Sequence, residues 1–379
     1  MIYITMKQSP VYQQMTLEEF LFQPDYTPQV INNNITNTRT YKVDNVNEKL
    51  LNSINVGKLI DKLIYFNSIT KVLKSKKREE LYRSYFIPKR SGGLRRIDEP
   101  SPELMDALRS LKTIIELDFG ALYHTSAFAY ITNRCTLSAI KRHQENESKW
   151  FGKFDLSNFF GNTTLDFVLK MFSMVFPFSE VMKDERGYKE LYEAMELAFL
   201  NGGLPQGSPV SPLITNVMMI PIDHTLANNF RDLNNQRFVY TRYADDFIIS
   251  SKYTFRFKDI EANIIEVLKE FEAPFTINKQ KTRYGSSAGS NWNLGVMLNK
   301  DNKITVGHKN KKRFQAMLTS YVLDKKNGKH WDKSDIQALD GYRNYYTSVE
   351  GDVIVKLINH LGNKFDVNII KMIKEDLRT

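Results

Sequence analysis

Runs of apolar residues recur along this chain with two distinct periods. From about Asn47, EKLLNSINVGKLIDKLIYF repeats apolar positions every three to four residues, which predicts a helix. SYFIPK reads as a strand, SGG as a turn and LRRIDEP as a second strand, so a hairpin is expected over residues 84–99. Ser101-Pro102-Glu103-Leu104 then opens a helix, with Pro102 in the first turn, where a missing N–H costs nothing. GKFDLSNFF (152–160) reads as a strand running into a turn, and KELYEAMELAFL (189–200) as a helix. SPVSPLITNVMMIPIDHTLANNF (208–230) starts with turn chemistry and continues as one long helix. FVYTRYADDFIISS (238–251) places two β-rich runs around Ala-Asp-Asp, a hairpin signature. IEANIIEVLKEFEA (260–273) is an amphipathic helix, and KNKKRFQAMLTSYVLD and VIVKLINHLGNKF predict a mainly helical unit after residue 307. Residues 1–45 are rich in Asn, Thr and Gln and lack an apolar period; they read as an irregular extension with one short helix at TLEEFLF (16–22).

Composition narrows the class. The 379 residues suffice for one large or two to three small packed units. A net charge of +10 suits a polyanionic partner, though it also fits a merely soluble basic protein. Cys135 is the only cysteine, so an intramolecular disulfide and a multi-Cys zinc site are excluded. The six histidines form no HxxxH or HExxH pair. A reducing, cytoplasmic setting is expected. No apolar run approaches the roughly 18 residues of a membrane span, and the N-terminus lacks the basic-then-apolar order of a signal peptide.

Three segments carry candidate chemistry. Tyr243-Ala244-Asp245-Asp246 sits between two apolar strands. Adjacent carboxylates at a hairpin tip repel, and a divalent cation between them removes the cost; a solvated turn is the plainer reading of the tetrapeptide alone. Asp155 follows an apolar strand and precedes Phe159-Phe160. Gly203-Leu204-Pro205-Gln206-Gly207-Ser208-Pro209-Val210-Ser211-Pro212 is an extended loop entering a helix, able to bring its backbone close to a nucleotide or to serve as an ordinary cap.

In this order the segments resemble motifs A (FDLSNFF), B (LPQGSPVSP) and C (YADD) of reverse transcriptases. The resemblance is to the bacterial group that includes retron, group II intron and phage-defence enzymes. IPKRSGGLRRIDEPSPEL is similar to the fingers segment of that group, NKQKTRYGS to motif D and WNLGVML to the primer grip, so the likeness spans about residues 80–300. It implies an α+β, right-hand polymerase: a palm of antiparallel sheet backed by helices, with fingers and a helical thumb. Residues 1–45 would be an extension, 46–285 fingers and palm, and 286–379 primer grip and thumb.

The resemblance also implies roles. Asp155, Asp245 and Asp246 would hold two Mg²⁺ ions, with Mn²⁺ able to substitute and the Leu156 carbonyl assisting; such sites need no His or Cys. Phe160, five positions after Asp155, would be the steric gate against a ribose 2′-hydroxyl, with a core aromatic as the alternative. Lys89 and Arg95, or Arg96 in its place, would contact the triphosphate from a hairpin that also carries Arg90. Gln206 and Gly207 would line the nucleotide, and Lys281 would be the general acid for pyrophosphate departure. The run His308 to Arg313, with Lys309, Lys311, Lys312 and Arg313, would contact a template–primer backbone or form a solvated helix face.

The length after residue 300 leaves little room for an RNase H domain, no HNH or zinc-knuckle pattern is present, and Ile304-Thr305-Val306-Gly307 only loosely matches the Val-Thr-Gly element of retron thumbs. The resemblance is therefore closest to stand-alone, abortive-infection type enzymes of phage defence. It implies dNTPs as substrate, an RNA template such as a partner noncoding RNA, and a DNA product. Template-independent or protein-primed synthesis, a maturase-like RNA-binding module and an RNA-templated RNA polymerase remain the alternatives. Oligomeric state is not encoded in any of these patterns.

Overall fold

The computed structural model describes residues 55–89, 92–119, 123–231, 233, 236–288 and 295–378. The expected extension 1–45, the start of the first helix, Arg90 and the Trp-Asn-Leu of the primer-grip segment lie outside them. The chain forms two compact units. One takes its described residues from Met1–Cys135, Gly152–Ser250 and Phe255–Arg283, the other from Thr136–Phe151, Ser251–Thr254 and Tyr284–Thr379. Each has its own hydrophobic core.

In the first unit, α1 (Val56–Ile69) starts on Asn55, whose side chain accepts the Lys58 N–H at 3.0 Å. It buries Leu59, Leu63 and Phe66, the spacing of one helix face. After α2 (Lys71–Ser75), β1 (Tyr82–Pro88) and β2 (Leu94–Pro100) form the expected antiparallel hairpin, with Tyr82 opposite Pro100 and Pro88 opposite Leu94. Gly92 and Gly93 turn it at φ 87° and 76°, a conformation that costs glycine nothing. Helix α3 (Pro102–Phe119) follows, opening on Pro102. Helix α4 (Thr136–Glu145) belongs to the second unit.

Strand β3 (Trp150–Asp155) leads through a turn into α5 (Phe159–Asn162), then α6 (Leu165–Phe172), α7 (Phe178–Val181) and α8 (Glu185–Glu196). The helix expected over 189–200 begins earlier because Asp184 caps the Gly187 N–H at 2.6 Å. It ends earlier too: Leu200 and Gly203 exchange backbone hydrogen bonds at 2.9 and 3.1 Å, closing a turn instead. The long helix expected from 208 is two, α9 (Ser211–Met218) and α10 (Ile220–Arg231). Pro221 has no N–H to donate back across the junction, so the ladder lapses at Met219 and restarts with proline in the first turn.

Strands β4 (Phe238–Tyr243) and β5 (Asp246–Ser251) are the expected hairpin, followed by α11 (Phe257–Glu270) and β6 (Arg283–Ser286). The sheet order is β4-β5-β3-β6, so β5 is central and buries every residue after Asp246. The fold is α+β, as expected.

The second unit holds β7 (Met297–Leu298) and β8 (Ile304–Thr305), an antiparallel pair, then α12 (His308–Lys326), α13 (Lys333–Phe365) and α14 (Ile369–Arg378). Phe314, Leu318, Tyr321 and Val322 of α12 pack with Ile336, Leu339 and Tyr346 of α13 and Ile369 and Ile373 of α14. Helix α13 kinks at Glu350 (φ −137°, ψ 57°), whose carboxylate accepts from the Val306 N–H and Thr305 Oγ1, both at 2.8 Å.

Candidate active site

Asp155 ends β3, and Asp245 and Asp246 lie at the β4–β5 turn; β3 and β5 are neighbours, so the sheet carries all three carboxylates to one place. The Leu156 N–H donates to the Asp245 carbonyl at 3.1 Å, pinning the two segments together. Ala244 takes φ 57°, the left-handed value that lets so short a turn form.

The electrostatics follow from this crowding. Burial, then repulsion from Asp246 and Asp155, pushes the Asp245 carboxyl up to about 6. Burial also raises Asp246, opposed by Lys153, whose Nζ stands 2.9 Å from Asp246 Oδ2. The other oxygen, Asp246 Oδ1, is buried without a hydrogen-bond partner. Lys281 Nζ donates to both oxygens of Asp155, at 3.0 and 2.9 Å. Desolvation lowers the Lys281 pKa, but the bond to Asp155 and the neighbouring carboxylates outweigh it, and the net shift is upward. Among the described residues, no three His, Cys, Asp or Glu side chains form a ready-made metal cage.

The loop after α8 is clamped between α5 and β2. Phe160 of α5 is half-buried, stands edge-on to Phe159 at 5.7 Å, and its carbonyl accepts the Leu204 N–H at 2.9 Å. A Cβ on Gly203 would lie 2.2 Å from the Gly161 carbonyl oxygen, so only glycine permits this approach. On the other side the Asp98 N–H donates to the Gln206 carbonyl at 2.7 Å, and a Cβ on Gly207 would meet the Asp98 oxygen at 2.6 Å. Gln206 is half-buried and Gly207 exposed.

Strand parity separates Arg95 from Arg96. Ile97 packs toward Gly207, and Arg95 shares its face of β2. Arg95 also acts electrostatically on Tyr130, whose pKa is raised by burial and by the charges of Asp245 and Tyr243. Arg96 points the other way, with Nε 2.7 Å from Asp98 Oδ1 and Nη2 3.1 Å from Ser84 Oγ. Arg96 is thus committed to the hairpin, and Arg95 is the arginine turned toward the site. Lys89 is exposed at the hairpin tip, where its N–H donates to the Gly93 carbonyl at 2.9 Å.

The basic run also divides. Lys309, Lys312 and Arg313 are exposed and share one face at the start of α12. Lys311 turns inward, its Nζ 2.9 Å from Glu350 Oε1 and 3.3 Å from Thr305 Oγ1. Its charge is paired inside the unit, unlike the charges of Lys309, Lys312 and Arg313.

Sequence reasoning did not single out Lys153, Tyr130 or Arg242. Lys153 carried a signal, since it lies two residues before Asp155 and so shares its strand face. Arg242 carried another: a lone charge within an otherwise uncharged, β-rich run. Tyr130 lies in an irregular segment and carried none.

Comparison with known proteins identifies the family. Residues 87–314 match the family model for reverse transcriptase (RNA-dependent DNA polymerase). The Retron Ec83 reverse transcriptase of Escherichia coli is 28% identical over 301 residues, 78% of this chain and 90% of the relative. The Retron Ec73 reverse transcriptase of the same organism is 26% identical over 298 residues, 75% of this chain and 91% of the relative. A solved telomerase from Candida albicans overlays with a TM-score of 0.45 at 14% identity, over 76% of this chain and 58% of that one. The family match covers more than half of the sequence and includes all three aspartates; the chain belongs to the reverse transcriptases and is an RNA-directed DNA polymerase.

Proposed function

We propose that Asp155, Asp245 and Asp246 hold two divalent ions, Mg²⁺ or Mn²⁺, for the transfer of nucleotidyl groups from dNTPs, with release of pyrophosphate, onto a primer paired with an RNA template. The observation that carries this is the convergence of three carboxylates, one buried and two half-buried, at the ends of adjacent strands, one of them with a buried oxygen, Asp246 Oδ1, that lacks a hydrogen-bond partner. Cations relieve such repulsion and satisfy such an oxygen. Among the described residues no three carboxylate, imidazole or thiol groups cage one ion, so water and phosphate oxygens would complete the coordination, as Mg²⁺ prefers. When bound, the ions supply activation of the primer 3′-hydroxyl and neutralisation of charge on the departing pyrophosphate.

The chain's own residues do the rest. Lys281 brings a proton to the site, held against Asp155. Lys89 and Arg95 bind the triphosphate by charge-assisted hydrogen bonds. Phe160 packs beneath the sugar, Gln206 and Gly207 line the nucleotide, and the Leu156 carbonyl is an additional metal ligand. Residues 46–285 act as fingers and palm and 286–379 as primer grip and thumb, with Lys309, Lys312 and Arg313 on nucleic-acid phosphates. The template is an RNA, such as a partner noncoding RNA, and the setting is bacterial anti-phage defence in the cytoplasm.

The test is dNTP incorporation on an RNA template with a DNA primer. Replacing Asp245 and Asp246 together with Ala abolishes incorporation while the protein still melts cooperatively. Full incorporation by that variant overturns the assignment. Equal incorporation with the template omitted favours the template-independent reading. Plating phage on cells that express wild type or the double variant tests the defence role, which equal plaque counts refute.

A further inference from the structure

Arg242 is fully buried in β4, and a buried guanidinium is costly unless its donors are used. Nε lies 2.8 and 3.0 Å from the two oxygens of Asp223 on α10, and Nη2 lies 2.8 Å from Asp223 Oδ2. Tyr240 Oη also donates to Asp223, at 2.8 Å. That pairing alone neutralises the charge. The remaining nitrogen does something different: Nη1 donates to the Ala244 carbonyl at 3.3 Å and to Asn216 Oδ1 at 3.2 Å.

Ala244 is the left-handed residue between β4 and the two aspartates, and a non-glycine residue there is strained. Its carbonyl belongs to the peptide that leads directly into Asp245. Asn216 sits on α9, the helix that continues from the Gly203–Pro212 loop, and passes the connection on by donating to the Ala129 carbonyl at 2.8 Å. The backbone of Arg242 pairs with the same segment: its N–H donates to Ser126 O at 2.6 Å and its carbonyl accepts from Phe128 at 2.9 Å. Tyr130, at the end of that segment, is itself left-handed at φ 60° and acted on by Asp245. Arg242 thereby ties the aspartate turn and α9 together through its side chain, and the segment before Tyr130 through its backbone.

We infer that Arg242 is a positioning residue that sets the geometry of the Asp245–Asp246 turn through the Ala244 carbonyl and Asn216. The inference rests on the metal-binding reading of that turn. Lysine at 242 would keep the charge opposite Asp223, but its point ammonium cannot fork to Asp223, Asn216 and Ala244 at once. Tyr240 is the internal control, since it touches Asp223 and makes no contact with the turn through that hydroxyl.

The experiment compares wild type, R242K, N216A, Y240F and D245A. Three quantities are measured: Mn²⁺ binding followed by electron paramagnetic resonance without substrate, melting temperature in EDTA, and kcat and KM for dTTP on poly(rA) primed with oligo(dT). D245A weakens Mn²⁺ binding relative to wild type, which establishes the site; if it binds as wild type does, the metal reading and this inference both fall. R242K and N216A raise the Mn²⁺ midpoint and lower kcat by about 10–100-fold, the scale of a misplaced reacting group. Their KM stays within about threefold, the pattern of a loss confined to the reacting state. Y240F melts at a lower temperature but keeps the wild-type kcat and Mn²⁺ midpoint. The inference is overturned if R242K retains both quantities, or if Y240F loses kcat in step with its melting temperature. Should R242K fail to fold, N216A decides by the same criteria.

Discussion

Replacing Asp245 with Asn should stabilise the metal-free protein while abolishing polymerisation. Burial, then Asp246 and Asp155, pushes this carboxyl up to about 6; in an unfolded chain it titrates near 3.9. The folded state therefore holds its proton more tightly, and stability is lost as pH rises from about 4 through about 6, with the full penalty present above that range. At about 1.36 kcal/mol per unit, roughly two units set a ceiling of about 3 kcal/mol at pH 8, and about half of that at pH 5. Asp245 is only half-buried, and solvent screens part of this penalty, so about 1–2 kcal/mol is the working expectation at pH 8, or about 1–3 °C in melting temperature for a chain of this length. Asparagine keeps the shape of the side chain and removes only the charge. The assay is thermal unfolding in EDTA at pH 8 and pH 5, paired with dNTP incorporation. A D245N variant that melts at or below wild type at pH 8 would refute the reasoning, as would an advantage of equal size at both pH values.

Two further outcomes follow from the site. Phe160→Ala should raise incorporation of ATP relative to dATP by roughly 1–3 kcal/mol of discrimination, read as the ratio of their kcat/KM values; an unchanged ratio makes Phe160 a packing residue of α5. Reversing charge at Lys309, Lys312 and Arg313 should weaken nucleic-acid binding and flatten its dependence on salt by about one unit of slope for each phosphate that is no longer neutralised, whereas reversal at Lys311 should instead lower the melting temperature, because that lysine serves Glu350. Identical salt slopes for wild type and the triple variant would show the exposed face to be merely solvated.

Both hairpins were legible in the sequence because their signals are local. Gly92-Gly93 supplies the turn of β1–β2, and Ala-Asp-Asp interrupts two β-rich runs at β4–β5. The break at Met219 was not, because apolar residues continue at helical spacing on both sides of it, and only Pro221 marks the junction. Arg95 and Arg96 are equivalent as sequence. What separates them is the pairing of Asp98 with Gln206, over a hundred positions along the chain, which decides the face of β2 that looks toward the loop. Lys311 likewise reads as one of four similar cations until the kink at Glu350 brings a carboxylate beneath it. Arg242 shows the same limit: the lone charge is visible in the strand, but Asp223, Asn216 and Ala129, its direct and indirect partners, are supplied by tertiary structure.

Lys281 is placed to be more than a counter-charge, and its two candidate roles separate under substitution. Its ammonium sits on both oxygens of Asp155, and its pKa is raised, so it stays protonated across any practical assay pH. A group held this way brings a proton to the place where the departing pyrophosphate needs one, provided that Asp155 gives up the ammonium when it turns to metal. If proton donation is the role, Lys281→Arg should fail almost as badly as Lys281→Gln, because a guanidinium keeps the charge and the ion pair but does not release its proton. The loss in kcat should then be about 10²–10⁴-fold for both, the range of general acid catalysis. If the role is only to hold Asp155 in place, arginine should restore most of the rate that glutamine loses. Steady-state kcat for the two variants, with Mn²⁺ binding measured alongside to confirm that the carboxylates still assemble, decides between them. An arginine variant working at near the wild-type rate would remove Lys281 from the chemistry and leave it as a structural partner of Asp155.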